Sequence, residues 1–264
     1  MSAGLRIGSI FSGIGGLELG LERAGVGHTV WQCECDPYAL RVLAKHWPTA
    51  QRFDDVRHVD ACAPAVDLIC AGFPCQDISY AGLNAGLTGE RSGLFFELMR
   101  CVRALRPKLL VLENVAALLG RGMGDVLAAL ASCGYDAEWD CIPAQAVGSP
   151  QLRDRIFIIG VLADHACGGQ QDKARAVDAR AQVPPSDRVR SGGGGVAGGW
   201  PALGQSSWPV GGAWVPEPSV GRVAHGVPNR LDRLRCLGNA VVPQVAMAVG
   251  QRVLAVARCL GVVQ

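Results

Sequence analysis

Residues 5–11 form a short apolar run that stops in the cluster Ser12-Gly13-Ile14-Gly15-Gly16, after which Leu17, Leu19, Leu21 and Ala24 point to a helix. Strand, glycine-rich turn, helix is the feature that constrains this chain most, because the same order returns along it. A second apolar run, residues 29–33, ends in Glu34 and Asp36, and Pro37 stands at a first helical position before a helical stretch to His46. Further strands are expected over 66–71, 108–112 and 155–162, and helices over 94–105 and 123–133. Strands alternating with helices imply an α/β fold, with a mostly parallel sheet covered by helices on both faces.

Residues 163–223 break this rhythm. Residues 192–195 are all glycine, Trp200, Trp208 and Trp214 stand among Gly and Pro, and periodicity is lost, so a small loop-rich region is expected there. Residues 233–237 then lead into Gly238-Asn239 and a last apolar helix. With 264 residues and 49% apolar content, the chain can bury a core without disulfide staples. Charge is uneven: residues 1–150 hold 12 Lys+Arg against 16 Asp+Glu, a net −4, and residues 151–264 hold 13 against 7, a net +6. A polyanion would meet the C-terminal part.

A membrane span needs roughly 18 uninterrupted apolar residues. The longest candidate, residues 240–257, contains Pro243, Gln244, Gln251 and Arg252, so no span is expected. The start, MSAGLRIGSIF, lacks a basic-then-apolar leader. A cytoplasmic protein follows, and its 11 cysteines read as reduced thiols. Cys33 and Cys35 are too close for a metal knuckle and no second pair completes one, so no metal is expected.

Phe11-x-Gly13-x-Gly15-Gly16 lets backbone approach a nucleotide-like ligand, although its spacing is not the dinucleotide G-x-G-x-x-G. Glu34, at a strand end, can accept hydrogen bonds from ribose hydroxyls, and Asp55 can take the exocyclic amine of an adenine. No Lys or Arg lies in the turn, and Glu18 and Glu34 would repel a pyrophosphate, so these residues fit an adenosine-bearing cofactor better than a phosphate. A plain strand-to-helix turn with surface acids is the alternative.

Gly72-Phe73-Pro74-Cys75-Gln76 stands directly after the strand at 66–71. In an open parallel sheet, ligands sit beyond the carboxyl ends of strands, so Cys75 would face the crevice, where a thiolate can act as nucleophile. Most of the other ten cysteines read as buried small hydrophobes. Glu113-Asn114 closes another strand at the same rim. Its carboxyl can serve as general acid if an apolar or anionic setting raises its pKa, and an N-cap pair is the plainer reading. Gln151-Leu152-Arg153-Asp154-Arg155 sets two arginines on one face if extended, able to fix a phosphate or a base carbonyl, or else forms a charged strand edge.

Taken in order, Phe11 to Gly16, Glu34, Asp55, Gly72 to Gln76, Glu113-Asn114-Val115, Gln151-x-Arg153-x-Arg155 and Gly238-Asn239-Ala240-Val241-Val242-Pro243 resemble the DNA cytosine-5 methyltransferases across nearly the whole chain. The resemblance implies a Rossmann-like, S-adenosylmethionine-dependent methyltransferase fold. Residues 1–162 would be the catalytic, cofactor-binding domain and 163–223 the target-recognition region. Residues 224–264 would return to the catalytic domain, with the asparagine segment beside the first glycine turn. Phe11 would stack on the adenine, Glu34 hold the ribose and Asp55 the adenine amine. Gly13, Gly15, Gly16, Val56, Pro74, Leu94 and Asn239 would complete the cofactor site.

By the same resemblance, Cys75 would add to cytosine C6 while Glu113 hydrogen-bonds or protonates N3. Arg155 and Arg153 would hold the base and its phosphate. Pro74 and Gln76 would shape the cysteine turn, and Ser79, Asn114 and Val115 would complete the substrate side. Residues 79–93, with Arg91, would close over a nucleotide swung out of double-stranded DNA. A cognate restriction endonuclease acting on the same site is the implied partner. The family often carries an acid two positions before the phenylalanine, where this chain has Ser9, and its penultimate motif is only loosely matched by residues 222–235. An RNA (tRNA) cytosine-5 methyltransferase of the same fold, or a non-catalytic module binding an adenosine cofactor, is the competing reading.

Overall fold

The computed structural model describes residues 4–74, 93–163 and 228–263. In chain order they form β1 (Leu5–Ile10), α1 (Gly16–Arg23), β2 (Gly27–Cys33), α2 (Pro37–His46), β3 (Gln51–Phe53), β4 (Leu68–Gly72), α3 (Gly93–Leu105) and β5 (Leu109–Val115). A short α4 (Leu118–Arg121), α5 (Met123–Ser132), β6 (Tyr135–Pro143), β7 (Asp154–Leu162), α6 (Arg230–Asn239) and α7 (Pro243–Cys259) follow. The expected elements are all present to within a few residues. Asp36 and Pro37 start α2 as the sequence signals: the Asp36 carboxylate accepts from the Tyr38 and Ala39 N–H groups at 2.8 and 3.0 Å, with Pro37 in the first turn.

The strands make one seven-stranded sheet in the order β3-β2-β1-β4-β5-β7-β6. Neighbours from β3 to β5 are parallel, whereas β7 runs antiparallel to both β5 and β6. The chain moves outward from β1 through β2 to β3 and then resumes on the other side of β1, so the switch in strand order lies between β1 and β4. Sequence analysis did not identify β6 or the reversal of β7. Only a 3-10 turn (Ala144–Val147) and a few extended residues join β6 to β7, which is too short for the crossover that parallel neighbours require.

Alternate residues of the central strands feed two cores. Ile10, Ile69, Leu110, Leu112 and Ile158 pack against α3 and α5 on one face. Ile7, Leu68, Leu109, Val111 and Phe157 pack against α1 and α7 on the other. Helices α1 and α7 meet nearly backbone to backbone. A Cβ on Gly20 would lie 2.2 Å from Ala246 Cβ and 2.5 Å from the Pro243 carbonyl oxygen. One on Gly16 would lie 2.3 Å from the Val241 carbonyl oxygen, so the asparagine segment does return beside the glycine turn.

Among the described residues, the run Arg230–Cys259 is apolar and long enough by composition to cross a membrane. It is broken by extended backbone at Ala240 and Val242, and its second half is a core helix. There Val245, Ala246, Val249 and Val253 are buried, and Arg252 donates to the Glu138 carboxylate from Nε and Nη2, each at 2.6 Å. Cys33, Cys70, Cys101 and Cys133 are buried, as expected of small hydrophobes, and burial pushes the Cys33 thiol up to about 12. Cys35, Cys62 and Cys259 are instead exposed, because they fall at a strand end, in a loop and in a last helical turn rather than in the sheet.

Candidate active site

In an open α/β sheet the crevice for a ligand lies beyond the carboxyl ends of the strands flanking the switch in strand order. Here those ends are the Phe11–Gly16 turn after β1 and the Gly72–Pro74 segment after β4. Phe11 has φ 58, a left-handed conformation that a bulky residue keeps only where its surroundings impose it. The imposing bonds run from Ser12 N to the Cys33 carbonyl at 3.1 Å and from Gly15 N to the Ser12 carbonyl at 2.9 Å. Gly15, at φ 84, leads into α1 and leaves room for the Trp47 ring, 2.4 Å from where a Cβ would be.

Glu34, at the end of β2, is aimed at this turn. Its Oε2 accepts from the Gly13 N–H at 2.7 Å and its Oε1 from the Asp36 N–H at 2.8 Å. Two charge-assisted backbone bonds fix the carboxylate and leave lone pairs for hydroxyls. Nothing lies within 4 Å of where a Gly13 Cβ would be, so the turn opens onto free space. Asp55 caps a 3-10 turn (Val56–His58) and accepts from the Arg57 N–H at 2.9 Å and from its guanidinium at 2.6 Å. The Arg57 bonds hold its carboxyl down at about 2. This pair is exposed, so a ligand amine could replace the guanidinium at little cost. Val56 is buried beneath it, and Leu94 packs partly buried at the start of α3.

The second half of the rim is built by β5 and the reversed β7. Because β7 begins where β5 ends, Arg155 pairs in register with Val115, and its Nε lies 2.9 Å from Glu113 Oε1. Glu113 is buried, and burial pushes its carboxyl up even though Arg155 and Arg153 pull it down. Gly72 is its register partner on β4, and a Cβ there would stand 3.1 Å from Glu113 Oε2. The glycine therefore makes the space that the carboxyl occupies.

Asn114 faces its own backbone and β4. It accepts from the Val115 N–H at 2.8 Å and donates to the Phe73 carbonyl at 3.1 Å. It thus ties the start of the segment leading into Cys75 to the end of β5. Arg153 donates from Nη1 to the Gly238 carbonyl at 2.7 Å. Arg235, on α6, contacts the Asp36 carboxylate. These two bonds fix the segment carrying Asn239, which is itself exposed, between the arginine strand and the Glu34 corner.

The structure therefore brings Phe11, Gly13, Gly15, Gly16, Glu34, Asp55, Val56, Pro74, Leu94, Glu113, Asn114, Val115, Arg153, Arg155 and Asn239 to the carboxyl-end side of one sheet. Cys75, Gln76 and Ser79 lie outside the described residues, as do Arg91 and residues 164–223. Among the described residues no three His, Cys, Asp or Glu groups are placed to hold a metal. Gly72 and Asp36 are structural members of the site that sequence reasoning did not single out for it. Gly72 had no signal beyond its place in the cysteine cluster, whereas Asp36 was legible as a helix start.

The sequence pattern of the family described as C-5 cytosine-specific DNA methylase matches residues 5–185. The chain belongs to that family. It is 37% identical over 166 residues to the Type II methyltransferase M2.BsuMI of Bacillus subtilis (strain 168), covering 60% of this chain and 42% of that one. It is 37% identical over 163 residues to the Type II methyltransferase M.Bsp6I of Bacillus sp. (strain RFL6), covering 59% and 52%. The chain thus spans about half the length of the curated relatives it matches. Among solved structures, S. pombe Dnmt2 methyltransferase superposes with a TM-score of 0.52 at 22% identity, covering 60% of this chain and 51% of that one. Entamoeba histolytica methyltransferase EhMeth gives a TM-score of 0.52 at 18% identity, covering 61% and 54%. These two likenesses are of the fold alone.

Proposed function

We propose that this chain is a DNA (cytosine-5-)-methyltransferase that uses S-adenosylmethionine and acts on a cytosine swung out of duplex DNA. The observation that carries the reading is Glu113, a buried carboxyl with a raised pKa, beside Arg155 and across from the β4 end that runs into Cys75. The cofactor reading rests on the neighbouring turn. Its donor set is an aromatic ring, a fixed carboxylate, a second carboxylate and an open glycine backbone, without Lys or Arg, which suits an adenosine-bearing group and not a phosphate. Phe11, Glu34 and Asp55 would hold the adenosine, and Gly13, Gly15, Gly16, Val56, Pro74, Leu94 and Asn239 would surround it. Bound there, S-adenosylmethionine supplies an electrophilic sulfonium methyl group.

Cytosine C5 is a poor nucleophile, and the chain's own groups correct that. The Cys75 thiolate adds to C6 while Glu113 hydrogen-bonds or protonates N3, which makes C5 nucleophilic. A base removes the C5 proton afterwards and the thiolate leaves. Arg155 and Arg153 hold the base and its phosphate, with Pro74, Gln76, Ser79, Asn114 and Val115 shaping the pocket around them. Residues 163–223 read the target, in the part of the chain with a net charge of +6. A restriction endonuclease of the same specificity is the partner this activity fits.

Incubating the purified protein and methyl-labelled cofactor with duplex DNA or with tRNA tests the reading. Label is expected in DNA, at cytosine C5. Label entering only tRNA would give the reaction to RNA instead, and no transfer to either polymer would leave a binding module.

A further inference from the structure

Glu18 has no part in the chemistry above, yet it is one of the most deeply enclosed charged residues of the protein. It lies in the first turn of α1, directly after the glycine turn, and its relative exposure is 0%. Its Oε1 accepts from the Gln32 side-chain amide on β2 at 3.5 Å, and the Ser9 hydroxyl on β1 and the Ser12 hydroxyl in the turn lie beside the carboxyl. Ser12 Oγ also donates to Ser9 Oγ at 2.8 Å. Glu18 Oε2 and Gln32 Oε1 have no hydrogen-bond partner among the described residues.

Each of these partners adjoins a residue of the cofactor site. Ser12 lies between Phe11, held at φ 58, and Gly13, whose N–H meets Glu34. Gln32 lies two residues before Glu34 on the same strand. One buried carboxyl is therefore joined to both halves of the cradle, the turn and the strand end. It also touches Ser9, the position at which the family pattern often carries an acid. A carboxyl reaches that spot here from the helix instead of from the strand.

We propose that Glu18 is a positioning residue for the cofactor, gripping Ser9, Ser12 and Gln32 from beneath so that the Phe11 ring and the Gly13 N–H stay aimed into the site. The inference rests on the reading of the turn as an adenosine-cofactor site. Burial pushes the carboxyl up, and the side chains around it are neutral, so the isosteric amide of glutamine should reproduce the contacts. The other ionisable groups facing the cluster are the Cys70 thiol, itself pushed well up by burial, and Glu22 one turn along α1.

Calorimetric titration with S-adenosylhomocysteine tests this. Glu18→Leu and Ser12→Ala are each expected to bind at least 10-fold more weakly than wild type, and Glu18→Gln within threefold of it. In steady-state assays the Glu18→Leu loss should fall on the KM for cofactor more than on kcat. A folded Glu18→Leu protein that binds within threefold of wild type overturns the inference, and so does a Glu18→Gln protein as weak as Glu18→Leu. If Glu18→Leu does not fold, Ser12→Ala decides, and binding within threefold there also overturns it. Wild-type protein that binds no S-adenosylhomocysteine removes the cofactor reading itself, and this inference with it.

Discussion

Glu113 and Glu18 are both carboxyls stripped of water, and their surroundings divide their tasks. Glu113 has Arg155 at 2.9 Å and lies at the open rim, within reach of a base bound there. Glu18 has neutral side chains beside it and lies under the turn, out of reach of a bound base. Glu113→Gln should keep DNA affinity and lose kcat by a factor on the order of 10² or more, read in steady-state methylation, because the lost group acts in the transition state. Unchanged kcat would reject that role. For Glu18 the sign of the pH effect is set by its raised pKa: the folded state keeps a proton that the unfolded chain releases near pH 4.3. Stability contributed by that proton is lost as pH rises from there through the folded pKa. The melting temperature of wild type should therefore fall relative to Glu18→Gln between pH 4 and pH 8. A gap that does not change with pH would contradict a neutral buried acid.

At the scale of elements, the glycines between α1 and α7 set how closely the C-terminal segment approaches the glycine turn. Gly20→Val would drive two methyl groups into Ala246 and the Pro243 carbonyl, and overpacking of this kind costs about 1–3 kcal/mol, visible as a lower urea midpoint. Asn114→Ala removes the bond to the Phe73 carbonyl that joins β5 to β4. A buried acceptor left bare costs about 1–3 kcal/mol, and kcat should fall at least 10-fold through the loosened approach to Cys75, with cofactor affinity kept. The strands β1, β2, β4 and β5 and the helices α1, α2, α3 and α5 were legible because each is a short apolar run or a helical stretch closed by a glycine, a proline or a cap, whereas β3 is only Gln51–Phe53. β6 was not read from the sequence: Tyr135–Pro143 alternates Asp136, Glu138 and Asp140 with apolar residues along a sheet edge, unlike the continuous apolar runs of the central strands. The reversal of β7 was hidden with it. Yet that reversal is what brings Arg153 and Arg155 to Glu113, since a parallel strand would have begun at the opposite rim. The residues proposed for the cofactor could be named from sequence, but their mutual bonds could not, because Gly13 to Glu34 and Gln32 to Glu18 depend on how helix and strands dock.

For the whole molecule, two clusters meet across the switch in strand order, a glycine turn with its carboxylates at β1 and β2 and an acid–arginine rim at β4, β5 and β7. The C-terminal segment closes over both, held by Arg153 at the Gly238 carbonyl and by Arg235 at Asp36. The net charge is −4 over residues 1–150 against +6 over residues 151–264, which on the proposed function turns the C-terminal part toward duplex DNA. DNA affinity should fall steeply as salt rises, because cationic contacts release counterions; affinity that does not change with salt would remove the phosphate contacts assigned to the C-terminal part. That Cys75 forms a temporary bond to cytosine C6 is tested most directly with duplex DNA carrying 5-fluorocytosine and S-adenosylmethionine, where the fluorine replaces the proton that must leave. The expected result is a denaturation-resistant protein–DNA adduct attached at Cys75, formed by wild type and absent from Cys75→Ser. An adduct on another residue, or none while the same protein methylates ordinary cytosine, would contradict it.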